Sequence, residues 1–419
     1  MRTVPSRLQR TLDPIVGIGT NIIGISATNV GTFNHGDIQS ITITRGANSK
    51  SSGYLPATVE ATVTGRHDGF ASGYPIEVFL RDVHVDRLAA HVGVTGAEIR
   101  TRYLGRLGAV SIEDRGKRAA TTITAVSWMA QLAHSPRHVA PAAGELLGPL
   151  LEKLTFMDDP VRGTDLIPRV NGAQLQHHAA GTPMLYPDAL GELAEDIGIV
   201  MQEQRDGTTV AWGHKHREWW AANRMSSQYP LMQHQALAPA KYEQLGERPA
   251  SPIDYTAWTT EGTTPTRSVE PPNHTGETVM RESRDWTRWR MGDGDNQLWR
   301  SAWSDAHSNS STLYSLPSIS VDLLLLLKLG TPYALKIAAQ MLTLEAGEPV
   351  YLSGDWPTRL RGVHYAEGIT ETITPSEWRF DLSLIPHALG AGTPSPTVPP
   401  IAWDSFTTAW DAETRTWDA

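Results

Sequence analysis

The sequence predicts a β-rich α+β chain of several domains, with two β-barrel-like domains flanking a small α+β domain and a carboxy-terminal tail. Three observations carry this. Apolar and polar residues alternate with period two in several short runs near the start of the chain and again near its end, as half-buried strands require. Between these regions apolar residues recur three and four apart, the helical spacing. At 419 residues the chain is also too long for one ordinary core, so two to four domains are expected.

The expected domains are an amino-terminal arm (1–30), a first β-barrel-like domain (31–134), an α+β domain (135–245), a linker (246–278), a second β-barrel-like domain (279–390), and a Pro-rich linker with a repeat tail (391–419). The arm is rich in Gly and Ile without a clear period. From Asp37 the pattern sharpens: Ile41 and Ile43 alternate with threonines, the turn-like GANSKSSG follows, and Ala57, Val59, Ala61 and Val63 alternate with Thr and Glu. PIEVFLRD reads as a further strand. After a less regular segment, Arg100 to Ile112 reads as a strand that turns at Asp114–Lys117 into another over Ala119 to Ser127.

In the α+β domain, GELLGPLLEKL and PDALGELAEDIG have helical spacing, and Ile199–Gln204, Asp206–Gly207 and Thr208–Trp212 read as a hairpin. ERPASP, TTEGTTPT and EPPNHTGE favour an extended connector over a packed element. The last domain is expected to hold a strand over Ser318 to Leu327, a helix opening at Thr331-Pro332 and a strand pair around Glu345 to Gly347. It ends in a hairpin whose second strand puts Trp378, Phe380, Leu382 and Leu384 on one side.

In the tail, Trp403-Asp404, Trp410-Asp411 and Trp417-Asp418 recur every seven residues. On a helix the three indoles would share a face, with Phe406 between the first two. Tryptophan is the side chain most enriched at interaction hot spots, so Trp403, Phe406, Trp410 and Trp417 are the candidate partner-docking residues, with a flexible end as the alternative reading of the tail.

Composition excludes several function classes. The net charge of −9 and the lack of a basic run argue against a nucleic-acid surface. With no cysteine there are no disulfides, thiolate metal sites or cysteine nucleophiles. Asp13 and Pro14 break the apolar stretch a signal peptide needs, and Val321 to Leu329 is far too short to cross a bilayer.

No cofactor, metal or catalytic set is expected. His214 and His216 alternate ahead of Glu218 but have no evident third ligand, and the adjacent His177 and His178 point in different directions on any regular element. Asp293, Asp295 and Asn296 lie in a short oxygen-rich loop that lacks the spacing of a calcium loop, so a polar turn is expected. The cluster Trp286, Trp289, Trp299 and Trp303 suits core or subunit contacts better than a sugar-stacking platform. There is no phosphate-binding glycine loop, nucleophile elbow or zinc-protease motif.

Three segments carry a resemblance: RYLGRLGAVSIEDRGKRAATTITAVSWMAQLA, LGELAEDIGIVMQEQRDGTTVAWG and EGITETITPSEWRFDLSLIP. Together with the Trp-Asp tail, they resemble minor tail or baseplate hub proteins of tailed phages infecting actinobacteria. The resemblance implies two tail-tube-like domains per chain and three chains to a ring, a pseudo-sixfold collar joining a sixfold tube to a threefold tip. It implies a non-enzymatic virion protein at the tail tip, assembled in the host cytoplasm. Its partners would be its own copies, the distal tail protein or tail tube, the tape measure protein and other tip proteins, with no stable nucleic-acid binding and no membrane insertion. Two other readings stay open: a host-surface carbohydrate-binding or depolymerising tail protein, and a sixfold distal tail adaptor.

Overall fold

Alternation of apolar and polar residues builds the first part of the fold. The computed structural model describes residues 23–27, 31–33, 37–46, 56–67, 72–115, 118–127, 130, 138–146, 149–150, 166–169, 176–177, 184–185, 200–212, 230–232, 243–244, 252–259, 262–270, 281–290, 314–315, 318–357 and 360–386. After β1 (Ile23–Ala27) and β2 (Gly31–Phe33) come β3 (Ile38–Gly46) and β4 (Thr58–Thr64), which bury Ile41, Ile43, Val59, Ala61 and Val63 on one face. β5 (Pro75–Leu80) buries Ile76, Val78 and Leu80 in the same phase.

The less regular segment of the sequence proves to be two helices. α1 (Asp82–Val92) ends at Gly93, which takes a left-handed conformation with φ 81° and donates its N–H back to Ala89. α2 (Gly96–Arg100) opens on a capping box between Thr95 and Glu98. β6 (Thr101–Arg115) and β7 (Arg118–Val126) then form the expected hairpin.

The middle of the chain contributes β8 (His138–Val139), β9 (Leu166–Arg169), β10 (Gln176–His177), β11 (Met184–Leu185), β12 (Val200–Glu203), β13 (Thr209–Trp212), β14 (Leu231–Met232) and β15 (Glu243–Gln244). β12 and β13 are the expected hairpin, turning at Gly207 with φ 82°. Next come β16 (Ile253–Trp258), β17 (Thr266–Val269), β18 (Glu282–Arg290), β19 (Tyr314–Ser315) and β20 (Ile319–Asp322). The chain then forms α3 (Leu323–Leu329), α4 (Pro332–Thr343), β21 (Pro349–Ser353), β22 (Gly362–Ile373) and β23 (Trp378–Pro386).

One twelve-stranded sheet dominates and curls into a half-barrel. It branches at β22. The first part of β22 pairs β21, with Tyr365 opposite Pro349, and the second part pairs β3, with Gly368 opposite Gly46. Glu367 sits in a bulge between these two partners, while β23 runs along the other side of β22 and carries β20. One arm therefore leads through β21 to β14, and the other through β3, β4, β7, β6 and β5 to β1 and β2. The helices close one contiguous core: Leu323, Leu324, Leu326 and Leu327 of α3 and Ile337, Ala338, Met341 and Leu342 of α4 are buried together with Ile41, Val59, Ile369 and Phe380. Each such leucine stabilises the fold by about 1.5–3 kcal/mol.

Four sequence expectations need comment. The strand expected over Ser318 to Leu327 stops at Asp322, whose carboxylate accepts from Leu324 N (2.9 Å) and Leu325 N (3.3 Å) and so starts a helix. The strand pair around Glu345 to Gly347 is a turn, with Gly347 at φ 86°, followed by β21. The connector expected over 246–278 contains the β16–β17 hairpin, which pairs β18 and buries Ile253, Tyr255 and Ala257. Pro252, Thr259, Thr263, Thr264 and Pro265 mark the strand ends and the turn between them. PDALGELAEDIG, residues 147–148 and 151–154 of GELLGPLLEKL, the arm up to residue 22 and the tail lie outside the described residues.

Candidate functional site: a buried ion cluster where three stretches of chain meet

Period two also exposes an anomaly. Arg45 continues the inward phase of Ile41 and Ile43 on β3, and Glu371 sits between the inward Ile369 and Ile373 on β22, so both charges enter the core. There they meet Arg102 of β6, Arg205 from the turn after β12, and Glu345 just beyond α4.

Glu371 is held from three sides. Arg102 grips it with Nε to Oε1 at 3.0 Å and Nη2 to Oε2 at 2.8 Å, Trp378 Nε1 donates to Oε1 at 2.8 Å, and Arg45 Nη2 lies 3.7 Å from Oε2. Glu345 accepts from Arg205 Nε and backbone N–H and from Arg45 Nη1 at 3.4 Å. The Arg102 guanidinium also stands 5.8 Å from the Phe380 ring centroid.

Glu348, which also attracts Arg205, and the end of α4 add negative charge around the three guanidiniums. Arg102 Nη1 donates to the Leu342 carbonyl at 2.7 Å, Arg205 Nη1 donates to the same oxygen, and Arg205 Nη2 donates to Thr343 O at 3.2 Å. These last carbonyls have no partner inside the helix and carry the negative end of its dipole. Burial pushes the Arg45 guanidinium down to about 10, with Glu345 opposing. Burial likewise lowers Arg102 against the pull of Glu371. For Arg205 the burial effect is outweighed by Glu345, so its proton is held more tightly than usual. Burial raises Glu371, but Arg102, Arg45 and the Trp378 hydrogen bond outweigh it and hold its carboxyl below the usual range.

A second group of contacts ties the β12–β13 hairpin to the large sheet. Glu203 Oε2 accepts from Ala57 N at 2.7 Å, and Gln202 Nε2 donates to the Glu367 carbonyl (3.2 Å) and carboxylate (3.1 Å). Further along, Trp356 Nε1 donates to Leu231 O at 2.8 Å, and Tyr333 Oη donates to Pro230 O, which fixes β14 on the sheet edge.

This arrangement locks three distant stretches of chain together. Arg102, Arg205 and the two carboxylates hydrogen-bond one another or main chain, whereas Arg45 keeps Nε and Nη2 buried without a hydrogen-bond partner. Among the described residues no group of three His, Asp or Glu could hold a metal. His177 lies in β10 opposite Trp289, while His178, His214, His216, Glu218, Asp293, Asp295 and Asn296 lie outside the described residues. Trp286 and Trp289 are buried, and Trp286 packs on Tyr255 at 5.1 Å between ring centroids, so these two serve as core. Trp299 and Trp303 lie outside the described residues, as do Trp403, Phe406, Trp410 and Trp417. No described helix is long and apolar enough to cross a membrane. The ion cluster was missed in the sequence, where its one trace was a charge in the apolar phase of a strand.

No protein-family model matches the chain, and no curated protein matches it. Solved structures share its fold. The tail protein from Neisseria meningitidis MC58 is 12 % identical, with 87 % of this chain and 95 % of that chain covered at a TM-score of 0.53. The 43 kDa tail protein of prophage MuSo2 from Shewanella oneidensis is 11 % identical, with 87 % and 98 % covered at a TM-score of 0.55. The chain thus has the fold of these tail proteins over nearly their whole length.

Proposed function

We propose that this chain is a structural subunit of a phage tail tip: a hub whose copies, three to a ring, join the tail tube to the distal tip. The observation that carries the reading is the fold shared with two tail proteins along almost their entire chains. The branched sheet suits the role, because a ring subunit transmits load between neighbours and needs distant parts of its chain fixed to each other. β22 does this by pairing β3 and β21 on one side and β23 on the other. Residues 31–134 and 279–390 would supply the two ring-forming domains. Actinobacteria as hosts, a distal tail protein, tube and tape measure protein as neighbours, and assembly in the host cytoplasm rest on the resemblance of the three sequence segments. The role is architectural, supported by buried charges that are spent on fixing the chain.

A lasting ring contact commonly buries roughly 2,000 Å² or more. Native mass spectrometry of the purified chain, and a copy count in isolated tail tips, test the reading. Three copies at the tip support it; six copies point to a distal adaptor, and one copy with sugar release from host wall polymers points to a depolymerase.

A further inference from the structure

Among the described residues, α3 exposes an apolar face. Leu325 and Leu329 of α3 are 43 % and 57 % exposed although their neighbours Leu324, Leu326 and Leu327 are buried. The two lie four residues apart, on one side of the helix, with the exposed Lys328 next to them. From Leu323 to Leu344, through α3 and α4, there are two lysines, Lys328 and Lys336, and no carboxylate, in a chain whose net charge is −9.

The end of the sequence has the complementary composition. Residues 401–419 carry Trp403, Phe406, Trp410 and Trp417 together with Asp404, Asp411, Glu413 and Asp418, against a single Arg415. We propose that this acidic, tryptophan-rich tail docks on the Leu325–Leu329 face of a second copy of the chain, its indoles covering the leucines and its carboxylates meeting Lys328. The inference rests on the ring reading above and adds to it the surface that receives the tail.

The stretch between β23 and the tail is long enough to reach a neighbouring copy. β20 runs into α3 at Asp322, which lies opposite Arg379, while β23 leaves the sheet at Pro386 in the other direction. Seven strand residues at about 3.4 Å each put that exit roughly 24 Å from the start of α3. Residues 387–402 contain Pro394, Pro396, Pro399 and Pro400. At about 3.1 Å per residue, a stretch of this length can span up to roughly 50 Å, enough to carry the tail to a second copy.

The test uses two full-length variants. One carries Leu325→Glu and Leu329→Glu, and the other carries Trp403→Ala, Trp410→Ala and Trp417→Ala. Circular dichroism and thermal unfolding confirm that both fold. Each alone should self-associate at least about 10-fold more weakly than the wild type in sedimentation velocity, the scale for losing hot-spot side chains. An equimolar mixture should recover mixed-mass complexes in native mass spectrometry, because one partner keeps the tail and the other the face. A mixture no better than its parts, or wild-type association by either variant, overturns the inference. If the tail variant still forms three-copy rings, the docking idea fails while the ring reading stands. A wild-type chain that stays monomeric also overturns it, leaving the copy count in tail tips to decide the ring.

Discussion

Arg102 of β6 and Glu371 of β22, 269 residues apart in sequence, form a two-pronged ion pair with no solvent exposure on either side chain. The pair crosses from the first part of the chain to the last, so that the fold depends on both ends being present. Replacing Glu371 by Gln keeps the shape but leaves Arg102 and Arg45 without their shared countercharge. Breaking one partner of such a pair costs about 3–5 kcal/mol. The denaturant midpoint of Glu371→Gln should fall accordingly, with an unchanged slope. A loss under about 1 kcal/mol would show that the Leu342 carbonyl suffices to hold Arg102 and that Glu345 suffices for Arg45.

The same carboxylate gives the protein an acid limit. In the folded chain Glu371 releases its proton more readily than an ordinary glutamate, because Arg102, Arg45 and Trp378 outweigh burial. The unfolded chain therefore takes up the proton first as pH falls, at about 4.3 for an unperturbed glutamate. Stability from this group is fully present above that pH and is lost as pH falls through the lower, folded value. Wild-type stability should drop below about pH 4, and Glu371→Gln should show a shallower drop when both are followed by urea unfolding across pH 3–7.

The bulge at Glu367 depends on Gly46. Gly46 ends β3 with φ 69°, and a Cβ there would overlap the Glu367 carbonyl oxygen and crowd Ala346. The left-handed backbone alone costs a non-glycine residue about 1–2 kcal/mol. Because neighbouring main chain cannot step aside, Gly46→Ala should lose more than about 2 kcal/mol by calorimetry or denaturant unfolding. A neutral outcome would mean that β22 can shift its bulge.

Strands with clean alternation were legible in the sequence because each buries one face: β3, β4 and β23 fall where period two puts them, while β22 was legible from its β-branched and aromatic residues. The leucine run after Val321 was not, since five consecutive leucines fit a buried strand and a buried helix equally well. One capping carboxylate decided it. The β16–β17 hairpin was hidden by the Pro and Thr residues around it, and the partners of Arg45, Arg102 and Arg205 by the distance along the chain at which Glu345 and Glu371 lie. Pairing between such remote segments is a property of the sheet, and no local pattern encodes it.

That capping role can be measured. Asp322→Ala removes the acceptor for Leu324 N and Leu325 N and should cost about 1 kcal/mol, the usual value for losing an N-cap side chain. Asp322→Asn keeps an acceptor and should recover most of the loss in the same unfolding experiment. Equal loss in both would assign the effect to charge rather than capping.

Arg205 is the main electrostatic tie between the β12–β13 hairpin and the rest of the chain. It pairs Glu345 and donates to the carbonyls of Leu342 and Thr343, all on the segment that closes α4. Arg205→Leu would retain apolar bulk but leave Glu345 with the longer contact to Arg45, at 3.4 Å. The predicted loss is local. Amide exchange should quicken over Val200–Trp212 by about 10-fold or more, as expected when a subglobal unit loses roughly 1.4 kcal/mol of its closing free energy. The β22–β23 hairpin, held by its own ladder and by Glu371, should exchange as in the wild type. Uniform acceleration across both would mean that the hairpin and the sheet open as one cooperative unit. Arg205 would then support the whole fold rather than a docking contact.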